Sequence, residues 1–200
     1  MKRTALLTLT LSSAAIIAYL SYRMLLQPAV TPTGEIATPA EPVEILPDFT
    51  LEDLAGGTRS IRSWPDNALI INFWATWCAP CRREIPLLKD FQSAHAEESV
   101  QVIGIAVDRL EPVKEFARDI EFNYPVLVGQ SDAMDAASAF GVDFFALPFT
   151  VFTDTEGNIL GVHTGEVHLE DLENLSQILA DLATHTTDLA TARARLADFL

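Results

Sequence analysis

Cys78 and Cys81 are the two cysteines of this 200-residue chain, and they sit inside Trp74-Ala75-Thr76-Trp77-Cys78-Ala79-Pro80-Cys81-Arg82-Arg83. A spacing of three brings two sulfurs within bonding reach, so a mixed disulfide formed by one can be resolved by the other. Two cysteines are too few for a disulfide-stapled scaffold, and no second Cys or Cys/His cluster offers local ligands for a closed zinc site. The residues leave three readings open: a redox pair, a lone structural disulfide, or two idle thiols.

The flanking sequence decides how such a pair would be held. Ala68 to Trp74 is a continuous apolar run of strand length, the pattern of a strand covered on both faces. Behind the cysteines, Ile85, Leu87, Leu88, Phe91 and His95 fall at helical spacing up to Glu98, with Pro86 inside the helix, where a kink is expected. Cys78 is thereby placed at a strand-to-helix turn and Cys81 one turn inside. Unpaired N–H groups and the helix dipole favour the Cys78 thiolate, lowering its pKa below the roughly 8.5 of a free thiol. Pro80 costs little in the first turn and fixes the loop.

The rest of the chain predicts the framework. Asp48–Leu51 and Arg59–Ile61 flank Ala55-Gly56-Gly57 as a hairpin; Val100–Val107 is a second buried strand, and Glu111–Glu121 a helix with Pro112 in its first turn. Strand, helix, strand, helix implies parallel pairing with right-handed crossovers. Tyr124–Val128 is a short extended piece, and Asp132–Phe140 a helix ended by Gly141. Phe149–Thr153 and Asn158–His163 form a second hairpin, followed by a helical stripe at Leu169, Leu172, Leu175, Ile178, Leu179 and Leu182 and an amphipathic helix over Asp188–Leu200.

Phe73 to Cys81 with Glu84 and Pro86, and later Leu147-Pro148-Phe149-Thr150-Val151-Phe152 before Asp154 and Gly157, resembles the membrane-anchored thioredoxin-like reductases of the TlpA/ResA type, related to the cytochrome-maturation DsbE/CcmG group. The similarity covers about residues 47 to 183. It implies an α/β, thioredoxin-like fold: a central mixed sheet flanked by helices, with an N-terminal β-hairpin and a central helix-strand insertion. It also implies thiol–disulfide exchange outside the cytoplasmic membrane, with a redox-active Cys78–Cys81 disulfide in place of any cofactor or metal. In that family the proline matching Pro148 is cis and faces the cysteines, so substrate contacts are expected at Trp77, Pro80, Leu147 and Pro148. Trp77 is expected to shield the disulfide and Trp74 to pack. Cytosolic thioredoxin has a buried Asp where this chain has Asn72, and an amide cannot take the proton of the resolving thiol. Glu84, on the same helix face as Cys81, matches the family's active-site acid, and its carboxylate is expected to have a raised pKa. The alternative is a surface acid paired with Arg82, Arg83 or Lys89. Those arginines read most simply as a solvated face that could steer acidic partners. Ala146-Leu147 and Phe149-Thr150 depart from the Gly before and Glu-Thr after the proline in cytochrome-maturation members, which leaves the client open.

Charge and hydropathy supply an address. The formal net charge is −15; beyond residue 26 there are 10 basic and 28 acidic residues, a surface that repels nucleic acid. Met1-Lys2-Arg3 followed by uncharged Ala5–Leu20, with Tyr19, Tyr22 and Arg23 at its end, predicts an uncleaved membrane anchor over residues 1–26; a cleaved signal peptide is the alternative. Residues 27–47, with Pro28, Pro32, Pro39, Pro42 and Pro47, read as an extended tether spanning up to about 60 Å. Residues 48–184 are then the thioredoxin-like domain and 185–200 a helical extension. The expected setting is a bacterial inner membrane, single-pass, with a monomeric soluble domain in the periplasm. A disulfide-containing client and a membrane thiol donor of the DsbD/CcdA type are the expected partners. Against reductase stand an oxidising enzyme, a copper-binding protein of the same fold, a thiol peroxidase and an inert disulfide. The scattered His95, His163, His168 and His185 and the two-residue Cys spacing argue against copper, and Ala75-Thr76-Trp77 lacks the Pro and Thr arrangement of a peroxidatic cysteine.

Overall fold

The computed structural model describes residues 19, 21–23, 43–141 and 146–199. The predicted anchor and tether lie for the most part outside them; Tyr19, Ser21, Tyr22 and Arg23 are helical, and among the described residues no helix is long and apolar enough to cross a membrane. Contacts divide the chain after Glu41, and all elements below belong to the unit that begins at Pro42.

That unit is a seven-stranded mixed sheet, in the order β2-β1-β5-β4-β3-β6-β7. The central β3 (Ala68–Trp74) has all seven residues buried and pairs in parallel with β4 (Val100–Val107), which pairs in parallel with β5 (Val126–Gly129). On the other side of β3, β6 (Phe149–Thr153) and β7 (Ile159–Thr164) continue the sheet antiparallel. The N-terminal hairpin, β1 (Thr50–Asp53) and β2 (Thr58–Ser60), joins the edge by pairing β1 antiparallel to β5. Its turn is pinned by Asp53, whose Oδ1 accepts from the backbone N–H groups of Ala55 and Gly57 at 2.9 Å each.

Alternation along the strands builds two cores. Ile70 and Trp74 with Val102 and Ala106 face α1 (Ala79–Ala94), α2 (Leu110–Ile120), α4 (Leu169–Ala183) and α5 (Leu189–Ala197). Leu69, Ile71 and Phe73 with Ile103 and Ile105 face α3 (Ser131–Ser138), where Phe73 stacks on Phe149 at 4.3 Å between ring centres. Ala192 and Leu196 bury α5 in the first core, so residues 189–197 pack with the sheet and its helices.

Two local expectations change. α1 stops at Ala94, short of Glu98, because the His95 ring turns back, stacking on Phe91 with Nδ1 2.9 Å from the Phe91 carbonyl. Pro86 falls inside α1, where the sequence places it, on the exposed face of the helix. Leu169, counted in the apolar stripe, is 58% exposed because it opens the first turn of α4, ahead of the buried Leu172, Leu175 and Ile178.

Candidate active site

β3 runs into a turn that delivers Cys78 to the N-cap of α1, in extended backbone conformation (φ −84°, ψ 108°). Thr76 anchors the turn: its backbone N–H and Oγ1 both bond Asp108 Oδ2, at 3.2 and 2.5 Å, tying it to the end of β4. Cys78 and Cys81 form a disulfide with their Cα atoms 5.3 Å apart. Cys78 Sγ accepts from the Cys81 backbone N–H at 3.3 Å, so the helix end points a donor at this sulfur. On reduction the same donor and the helix dipole favour a thiolate at Cys78. Cys78 is 5% exposed and Cys81 fully buried, which separates an outer, attackable sulfur from an inner one.

Glu84, three residues after Cys81 and on its face of α1, is buried. Its Oε1 accepts from Asn72 Nδ2 at 2.8 Å and its Oε2 from the Val167 backbone N–H at 2.7 Å. Burial pushes its pKa up to about 7 from an ordinary 4.5; the Val167 and Asn72 hydrogen bonds pull the other way, and the nearby Glu166 charge adds to the rise. The surface ion pair considered for Glu84 is thus overturned. Arg83 pairs instead with Glu166, Arg82 lies over the Phe116 ring, and Lys89 Nζ bonds the Ile120 carbonyl.

Asn72 reaches Glu84 because β3 alternates: residues 70, 72 and 74 face α1. Its Nδ2 also donates to Thr150 Oγ1 at 3.0 Å, across the β3–β6 register that pairs Asn72 with Thr150. Above this pair Tyr124 is buried, and burial first, then the Glu84 charge, push its phenol to a higher pKa. Arg83 bonds both oxygens of Glu166 through Nε, at 3.2 Å each, and so ties α1 to the loop that presents Val167.

The other predicted residues fall at the same end of the sheet. The Leu147–Pro148 bond is cis, and Phe149 stands opposite Phe73, so Pro148 lies beside the end of β3 that leads to the cysteines. Pro148 is buried and Leu147 and Pro80 are half-buried. Trp77 projects into solvent at 71% exposure beside Cys78, while Trp74 is packed against Phe116 and Phe122. The sequence alone assigns no role in the site to Thr150, Val167, Glu166 or Asp108. Thr150 was within reach, since it adjoins the Pro148 motif on a strand; the others depend on long-range folding. Among the described residues no group of three or more His, Cys, Asp or Glu side chains converges as a metal site.

The chain is similar to known proteins in sequence and in fold. The AhpC/TSA family model matches residues 43–162. The thiol-disulfide oxidoreductase ResA of Geobacillus thermodenitrificans is 30% identical over 130 residues, covering 64% of this chain and 71% of that protein. A thiol:disulfide interchange protein of the thioredoxin family from Chlorobium tepidum superposes with a TM-score of 0.59 at 30% identity, over 70% of this chain and 96% of that one. A secreted thiol-disulfide isomerase from Corynebacterium glutamicum gives a TM-score of 0.62 at 27% identity, over 68% and 85%.

Proposed function

The chain belongs to the AhpC/TSA family and is a thiol-disulfide oxidoreductase of the ResA type with a thioredoxin-like fold; from this we propose that it reduces protein disulfides on the outer face of a bacterial inner membrane. The carrying observation is a disulfide that begins at the helix N-cap, with a buried carboxylate, Glu84, on the helix face it shares with the inner cysteine; burial pushes that carboxylate up to about 7. A group poised there can both take and return a proton at physiological pH.

In the reduced enzyme the Cys78 thiolate attacks one sulfur of a client disulfide, forming a mixed disulfide and releasing the first client thiolate. Glu84 takes the proton of the Cys81 thiol. The Cys81 thiolate then attacks Cys78 Sγ, the second client thiolate leaves, and two electrons have passed from the enzyme dithiol to the client. Asn72 and Val167 hold the carboxylate in place and stabilise its ionised form; Asn72 is a positioning residue, itself fixed by Thr150. Trp77, Pro80, Leu147 and Pro148 frame the client near Cys78. A membrane thiol donor of the DsbD/CcdA type restores the dithiol. Residues 1–26 anchor the chain and residues 27–47 tether a monomeric periplasmic domain. Apocytochrome c and copper-site cysteines are two client classes compatible with this reading.

The test is trapping in cells. Cys81→Ala should accumulate a mixed disulfide through Cys78, identifiable after isolation under non-reducing conditions. If Cys78 stays reduced and accessible and nothing is trapped, the client-reductase reading fails. A reduction potential as oxidising as about −120 mV would make the enzyme a disulfide donor instead.

A further inference from the structure

Building on the reductase reading, we propose that the cleft between α1 and α2 beside Cys78 is the client-docking surface, and that it takes a segment carrying an acidic side chain next to an apolar one. The cleft has a volume of about 390 Å³ and is lined by Ala79, Arg82, Arg83, Phe116 and Ile120. Ala79 directly follows the attacking cysteine, Cys78, and Arg82 is one helical turn on, its backbone N–H bonded to the Cys78 carbonyl at 3.2 Å. A client segment lying in this cleft is therefore held beside Cys78.

The lining specifies the occupant. Phe116 and Ile120, four apart on α2, give an apolar floor that is half-buried. Two cations stand over it, and the lining contains no acid. Arg83 already holds a carboxylate through two nitrogens, that of Glu166. Arg82 has no carboxylate partner among the described residues; its guanidinium carbon lies 5.6 Å from the Phe116 ring centre. A guanidinium lying over an aromatic ring keeps its N–H edge for a carboxylate, which it binds with two parallel hydrogen bonds. This basic cleft is set in a chain with a net charge of −15. At physiological ionic strength charges more than about 8 Å away are screened, so the local arginine outweighs the distant acids for a docked side chain.

The experiment compares two synthetic peptides of equal length, each closed by one intramolecular disulfide and flanked either by Glu-Leu or by Lys-Leu pairs. The reduced full-length chain in neutral detergent at 0.15 M salt reduces them under pseudo-first-order conditions, with neutral 2-hydroxyethyl disulfide as the reference. Wild type is expected to reduce the acidic peptide about fivefold faster than the basic one, the scale of one exposed ion pair gained or lost. Arg82→Gln should bring the ratio to about one and Arg82→Glu should invert it. Taking the ratio cancels any effect of the arginine on the Cys78 thiolate. Reduction of 2-hydroxyethyl disulfide with a peptide ratio near one in wild type overturns the docking surface alone. So does a fivefold ratio that survives Arg82→Gln. Failure to reduce 2-hydroxyethyl disulfide and both peptides overturns the reductase reading, and the docking surface with it.

Discussion

Asn72 Nδ2 lies 2.8 Å from Glu84 Oε1, a strand amide bonded to a helix carboxylate inside the core. Neither residue is open to solvent there; Thr150 Oγ1 also accepts from Asn72 and the Val167 N–H also donates to Glu84, so the fold supplies the partners that water cannot. The contact holds an acid that burial pushes up to about 7, on the helix face it shares with Cys81.

Removing the donor should raise the acid further. Asn72→Ala deletes one of two hydrogen bonds that favour the ionised form, so the apparent pKa of the Glu84 group should rise above about 7. The pH profile of mixed-disulfide resolution should move to the alkaline side by a comparable amount. Stability should fall by about 1–3 kcal/mol, the cost of an unmatched buried polar group. Stopped-flow turnover of a disulfide peptide against pH, with urea unfolding alongside, checks both.

Glu84 should also make stability depend on pH in a defined window. Its folded pKa of about 7 exceeds its ordinary 4.5. Below pH 4.5 both folded and unfolded chains hold the proton; between 4.5 and 7 the folded chain alone holds it, so unfolding becomes easier as pH rises. Above 7 the penalty is complete, on the order of 3 kcal/mol. Glu84→Gln has no such titration. The difference in unfolding free energy between wild type and Glu84→Gln, in the disulfide form, should therefore shift against wild type by that order from pH 4.5 to 8. A flat difference would show that Glu84 titrates normally.

The Arg83–Glu166 pair should tune the same acid with opposite signs from its two ends. The Glu166 charge raises the Glu84 pKa, so Glu166→Gln should lower it. Arg83→Gln, which leaves Glu166 without its counter-ion, should raise it. The Arg83 side chain is 62% exposed, so solvent screens the pair and either change should leave global stability nearly unaltered. Carbon-13 titration of labelled glutamate reads the two shifts directly.

Gly104 should not tolerate a side chain. A Cβ there would stand 3.0 Å from Trp74 Nε1 and 3.3 Å from Tyr124 Cε2, in the packed layer above Asn72. Gly104→Ala should destabilise the protein by about 1–3 kcal/mol through overpacking. Thermal unfolding with tryptophan fluorescence would register the loss and a changed Trp74 environment together.

The cysteine turn was readable because its signals are local. Ala68–Trp74 announces a covered strand, the following apolar spacing announces a helix, and three residues of separation bring the two sulfurs within bonding reach. Gly141 and Gly157, both at positive φ, likewise mark turns that their own backbones require. Helix ends were less legible. Whether α1 stopped at Ala94 or Glu98 turned on the His95 ring, a contact that propensity does not encode.

Glu84 shows where reading the chain reaches its limit. Sequence by itself determined that an acid shares a helix face with Cys81. Its surroundings could equally have been solvent with Arg82, Arg83 or Lys89 as partners. Tertiary structure decided for burial, because parallel pairing of β3 with β4 and antiparallel pairing with β6 bring Asn72 and Thr150 together, while the β7–α4 loop supplies the Val167 N–H from 83 residues away. A pKa is set by everything within a few ångströms of a group, and most of those neighbours are distant in sequence. The reacting cysteines were therefore visible in the chain, whereas the state of the acid that serves them was settled only by the fold.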